Sequence, residues 1–135
     1  MEPLFLDTGY LIAIEAVDDQ HHQSALEHWN TFVRPLPPLV TTSYVCSEVV
    51  TFFNVRNQHA KAVELGNRLL RSRAIRFIHV EEVLFHEGWD YLAGHADKSY
   101  SLTDCVSFVV MKRLGIRTAL TFDRHFVQAG FERLP

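Results

Sequence analysis

The sequence predicts an α/β protein whose central, mainly parallel sheet is covered by helices on both faces. Short apolar runs suited to buried strands alternate with stretches whose apolar residues recur at helical spacing, and no repeat or low-complexity segment interrupts them. Size points the same way: 135 residues, 47% of them hydrophobic, can build one adequate core, so a single domain over residues 1–135 is expected.

Each element has its own signal. Pro3 to Leu6 is an apolar run, and Tyr10, Leu11, Ile14 and Val17 follow at helical spacing, so strand passes directly into helix. A second helix is expected from about Gln20 to Phe32, ended by Pro35, Pro37 and Pro38 ahead of the apolar LVTT. Thr42 or Ser43, either a good N-cap, opens a helix through SEVVTFFNV. An amphipathic stretch from about Gln58 to Arg73 precedes RFIHV, a strand candidate. Helices then follow from Glu81 to about His95 and from Ser101 to Leu114, the second closed by Gly115, before IRTALTF forms a strand ending at Asp123.

Bulk properties exclude several classes. The formal charge of -3 and pI near 6.2 announce no general affinity for nucleic acid, so such a partner must be held locally or through metal. Cys46 and Cys105 lie far apart among apolar residues, as reduced packing thiols do, and a reducing cytoplasm is expected. No basic leader precedes an apolar core segment, and no apolar run approaches the roughly 18 residues of a membrane span. No membrane partner is expected.

Four carboxylates stand in positions that need explaining. Asp7 and Asp123 end predicted strands, where open parallel sheets gather ligand-binding groups, although Asp also serves there as a turn or cap residue. Glu48 falls among Tyr44, Val45, Val49 and Phe52, so its charge needs a cation, good hydrogen bonds, metal, or a route to water at the stripe's edge. Asp104 closes SLTD, a capping-box pattern with Ser101 that puts a carboxylate at the positive end of a helix dipole. Gathered together, such acids repel by about 4 kcal/mol per pair at 4 Å and an effective dielectric of 20, and a divalent ion relieves this. All-oxygen ligands favour Mg²⁺ or Mn²⁺ over zinc, and either ion activates water and offsets charge on a phosphodiester.

LFLDTGYLIA, Glu48 within SEVVTFF, SLTDCVSFVVMKRLG and TALTFDRHFVQAGFERLP occur in that order across nearly the whole chain. Together they closely resemble the PIN-domain ribonucleases, in particular the toxin-like subgroup of VapBC toxin–antitoxin pairs. The resemblance implies a three-layer PIN-like fold, a Mg²⁺-dependent endoribonuclease acting through metal-activated water, and often a homodimer. It also implies an RNA substrate and a cognate antitoxin that covers the acidic pocket. The family's acidic quartet falls on Asp7, Glu48, Asp104 and Asp123, with Asp7, Asp104 and Asp123 ligating or positioning metal. Thr8, Ser101 and Thr121 fall on the supporting hydroxyl positions, whereas Gly9 replaces the more usual Ser or Asn and is left out of the expected site. Arg124, through bidentate guanidinium hydrogen bonds, and His125, beside Asp123 in an expected loop, are the candidates for contacting RNA phosphate.

Other readings fare worse. DTG also opens the catalytic loop of aspartic proteases, but those need an all-β chain, and here a helical pattern follows at once. A haloacid-dehalogenase phosphatase expects a second Asp two residues after the first, where Gly9 stands. No H-E-x-x-H, Cys-x-x-Cys, G-x-S-x-G or phosphate-cradling glycine loop occurs, and His21, His22, His86 and His95 read as surface or capping residues. The alternative from another class is a PIN-like module that binds RNA or protein without cutting.

Overall fold

The computed structural model describes all 135 residues. Its strands are β1 (Leu4–Leu6), β2 (Leu39–Thr42), β3 (Ile75–Ile78), β4 (Thr118–Leu120) and β5 (Glu132–Leu134), and every neighbouring pair in the order β3-β2-β1-β4-β5 is parallel. The helices are α1 (Thr8–Glu15), α2 (His22–Asn30), α3 (Ser43–Asn54), α4 (His59–Arg71), α5 (Glu82–Ala93), α6 (Leu102–Leu114) and α7 (His125–Gln128). The expected parallel α/β architecture is present, and no helix is long and apolar enough to cross a membrane.

The period-two geometry of strands divides the core between the two faces of the sheet. Leu4, Leu6, Leu39 and Leu120 pack with Tyr10, Ala13 and Ala25 of α1 and α2. Phe5, Val40 and Ala119 join the larger cluster, with Val45 and Val49 of α3, Val106 and Phe108 of α6, and Phe126 of α7. Cys46 and Cys105 are both free thiols.

Several boundaries differ from expectation for identifiable reasons. Of the two candidate caps, Thr42 does the capping: its hydroxyl accepts from Val45 N–H at 3.2 Å. Ser43 instead accepts from Val80 N–H at 2.8 Å, which draws that amide away from the ladder and leaves β3 ending at Ile78. Gly115 closes α6 with φ 67°, a left-handed conformation that glycine adopts without penalty. The Ile116 amide is bound by that cap, to the Met111 carbonyl, and so β4 starts only at Thr118. The segment after Asp123, expected as loop, is the single turn of α7.

The strand order positions the site. Connections from β1 lead outward through β2 to β3, and the chain then returns past β1 to β4 and β5. The direction of winding therefore reverses between β1 and β4, and a crevice opens beyond their C-terminal ends. Asp7 follows β1 there, and Asp123 lies three residues beyond the end of β4.

Candidate active site

Asp7, Thr8, Gly9, Glu48, Ser99, Ser101, Asp104, Phe122, Asp123 and His125 line a cavity of about 420 Å³ at this crevice. The four acids arrive from separate elements: Asp7 from the β1–α1 junction, Glu48 from α3, Asp104 from the first turn of α6 and Asp123 from the β4–α7 turn. No lysine or arginine lines the cavity.

Hydroxyl groups hold the acids. Thr121 Oγ1 donates to Asp7 Oδ2 at 2.6 Å and accepts from Asp123 N–H at 3.0 Å, so one buried side chain ties the ends of β1 and β4 together. Thr8 donates to Glu48 Oε1 and Thr103 to Glu48 Oε2, each at 2.8 Å. Glu48 is exposed toward the cavity rather than sunk in the apolar stripe, and its charge is met by these two hydroxyls. Ser101 and Asp104 form the reciprocal capping box, with Ser101 Oγ accepting from Asp104 N–H at 2.9 Å and Asp104 Oδ2 accepting from Ser101 N–H at 3.1 Å.

Burial and mutual repulsion load this arrangement with electrostatic cost. Asp7 is 6% exposed, and desolvation pushes its carboxyl up to about 7, with the nearby Asp104 and Asp123 charges adding to the rise and the Thr121 hydrogen bond opposing it. Asp104, 7% exposed, is raised for the same reasons: burial first, then Asp123, against hydrogen bonds from Ser101 and His125. His125 Nδ1 stands 3.1 Å from Asp104 Oδ2 and 3.3 Å from Asp123 Oδ1, and its own amide donates to Asp123 Oδ1 at 2.8 Å.

The tightest set of ligating groups is Asp104, Asp123 and His125, whose ligand atoms lie within 4.8 Å of one another. This set differs from the expected Asp7, Asp104 and Asp123: His125 is drawn in by the turn of α7, while Asp7 sits deeper in the same cavity. An oxygen-rich donor set with excess negative charge and one imidazole fits a hard divalent cation. Arg124 is exposed at the start of α7 and does not line the cavity. Gly9, left out of the expected site, does line it, and a Cβ there would meet nothing within 4 Å. Thr103, Ser99 and Phe122 carried no separate signal in the sequence. The nearest hint for Thr103 is its place beside Asp104 in the first turn of a helix.

A parallel sheet with carboxylates gathered at its switch point defines an α/β protein with an acidic crevice of the kind that can hold a metal ion. The family profile described as PIN domain matches residues 4–132, and the chain belongs to the PIN-domain family, in its VapC-like branch of ribonuclease toxins. The chain is 36% identical over 129 residues to the 23S rRNA-specific endonuclease VapC20 of Mycobacterium tuberculosis, covering 95% of each. The crystal structure of VapC20, described as a sarcin-ricin loop cleaving toxin, superposes with a TM-score of 0.84 at 33% identity, over 95% of both chains. FitAcB from Neisseria gonorrhoeae shares the fold, with a TM-score of 0.68 at 15% identity over 98% of this chain and 96% of that one.

Proposed function

We propose that this protein is a Mg²⁺-dependent endoribonuclease that hydrolyses a phosphodiester bond of ribosomal RNA, and that it acts as the toxin of a toxin–antitoxin pair. The observation that carries the reading is the convergence of Asp7, Glu48, Asp104 and Asp123 on one cavity that contains no lysine or arginine. The 36% identity to a 23S rRNA-specific endonuclease supports the substrate class.

Asp104 and Asp123, with Asp7 behind them and His125 beside them, would hold the cation, Mg²⁺ or else Mn²⁺. The bound ion would supply Lewis-acid stabilisation of the scissile phosphate and a lowered pKa for the attacking water. Thr121 fixes the rotamer of Asp7 and the turn that presents Asp123. His125 donates from Nδ1 to Asp104 Oδ2 at 3.1 Å, with Asp123 Oδ1 3.3 Å from the same nitrogen, and so sets an imidazole between the two carboxylates. Glu48, held through both oxygens by Thr8 and Thr103, faces the cavity and orients the nucleophilic water. Displacement by water needs no covalent intermediate on the protein.

Residues 1–135 act in this reading as one domain, working as a homodimer in the cytoplasm and silenced by an antitoxin that covers the acidic cavity. Incubation of purified protein with ribosomal RNA tests the proposal. Discrete cleavage products are expected in Mg²⁺ or Mn²⁺, none in EDTA, and at least about a 100-fold loss of rate for Asp104→Asn. Equal cleavage by wild type and Asp104→Asn would overturn it.

A further inference from the structure

The turn between α1 and α2 carries an aromatic feature outside the acidic set. His21, half-buried, lies flat on Phe122, with ring centroids 4.2 Å apart and planes 5° from parallel. Phe122 stacks in turn on the buried Tyr10 at 6.1 Å and 22°. Phe122 thus links the buried Tyr10 to His21. Of the three, Phe122 lines the acidic cavity, one residue before Asp123, and His21 lies beside that lining.

The turn is anchored by everything except the His21 ring. Asp19 Oδ1 accepts from His21 N–H at 2.8 Å, the Asp19 carbonyl accepts from His22 N–H at 3.0 Å, and His22 Nδ1 donates to the Ala13 carbonyl at 2.7 Å. The His21 carbonyl accepts from Ala25 N–H at 2.9 Å, yet its side chain makes no capping hydrogen bond. No other ring or cation of the protein stacks on the imidazole. A ring held in place without a structural hydrogen bond is preorganised for a ligand, because little conformational freedom is left to lose on binding.

The cavity's charge says which ligand. Carboxylates repel a phosphodiester backbone, and no lysine or arginine lines the cavity to offset that repulsion. A cation held by the carboxylates would meet the scissile phosphate alone, so the neighbouring nucleotides need a hold that does not depend on charge, and an unpaired base offers a π-face that stacks on aromatic side chains. The missing side chain at Gly9 leaves open space along the same cavity wall.

We infer that His21 over Phe122 is a stacking platform for an unpaired RNA base next to the scissile phosphate, with His21 as the ring the base meets. The inference rests on the ribonuclease reading and adds how that site grips its substrate. His21 is a binding residue here, so its loss weakens substrate capture and leaves the chemical step intact.

The test uses the full chain and a ribosomal-RNA stem-loop carrying 2-aminopurine in turn at each unpaired position. Binding is followed by fluorescence with Ca²⁺ replacing Mg²⁺, and cleavage is measured in Mg²⁺. At one position the wild type quenches the probe. His21→Ala abolishes that quenching and raises KM about tenfold with kcat changed less than about twofold, and His21→Phe restores both. A melting temperature for His21→Ala close to wild type establishes that the fold is intact. If the wild type cleaves and His21→Ala matches it in quenching and KM, or loses only kcat, the platform is overturned and the ribonuclease stands. Quenching that depends on His21 without any cleavage keeps the platform and overturns the ribonuclease. Neither quenching nor cleavage by the wild type overturns both.

Discussion

Two cavities flank the central strand, and neighbouring residues build them. Leu6 lines an apolar cavity of about 200 Å³ while Asp7 lines the acidic one, and on α3 Val49 and Glu48 divide in the same way. In the apolar cavity the charges stay at the rim and find partners within the chain: Glu15 meets Arg68 at 3.3 Å and Lys61 at 3.6 Å across α1 and α4. In the acidic cavity the charges face one another and are met only by hydroxyls, backbone amides and a single imidazole. One region is arranged for cohesion. The other retains uncompensated repulsion, which a domain keeps only where a ligand or reaction gives it a use.

Substitutions on the two sides should therefore act in opposite directions. The largest effect is expected from Asp7→Asn, which should cut metal-dependent RNA cleavage by about 100-fold or more while raising the melting temperature of metal-free protein by a few degrees. The pH dependence follows from the same carboxyl. Its folded value of about 7 lies above the ordinary 3.8, so the folded state binds the proton more tightly, and the resulting stabilisation is full below about pH 4 and lost as pH rises to about 7. Asp104, also raised, acts in the same sense. Thermal melts in EDTA should show lower stability at pH 8 than at pH 5, with a shallower slope in Asp7→Asn. A steeper slope in that variant would break the comparison.

On the apolar side, Leu69→Ala enlarges an existing cavity and should destabilise the protein by about 2–3 kcal/mol, lowering the melting temperature by roughly 10 °C. Its cleavage rate well below the transition should match wild type, and a specific loss of rate would show that the cavities are coupled. The smallest effect is expected for Thr103→Val, which removes one hydroxyl from Glu48. A net hydrogen bond of about 1 kcal/mol corresponds to roughly a fivefold loss of cleavage rate, with melting shifted by no more than about 2 °C. No change in rate would mean that Thr8 alone suffices to orient the carboxylate.

Much of the fold was legible because its signals are local. Apolar runs or periodicity marked β1 to β4 and the six longer helices, whereas β5, an exposed edge strand reading ERL, carries no such signal; the Ser101–Asp104 capping box and Gly115 closure read directly from residue type and spacing. Asp7 and Asp123 declared themselves by following apolar strands. The α7 turn did not, since four residues are too short for helical periodicity to register. Glu48 was harder to read: adjacency to apolar residues suggested a buried charge, but the helix turns that carboxylate out into the cavity.

What residue order alone determined is the set of elements and the chemistry each carries, because strand and helix patterns arise from hydrogen bonding and burial among near neighbours. Tertiary structure decided which groups meet. Thr8 and Glu48 are 40 residues apart, Thr103 and Glu48 are 55 apart, and Thr121 and Asp7 are 114 apart. Those contacts, like the approach of His125 to Asp104 and of His21 to Phe122, exist because winding reverses between β1 and β4 and brings strand ends and helix starts to one crevice. Sheet order is a collective outcome of packing both faces of the sheet, so no local stretch of the chain encodes it.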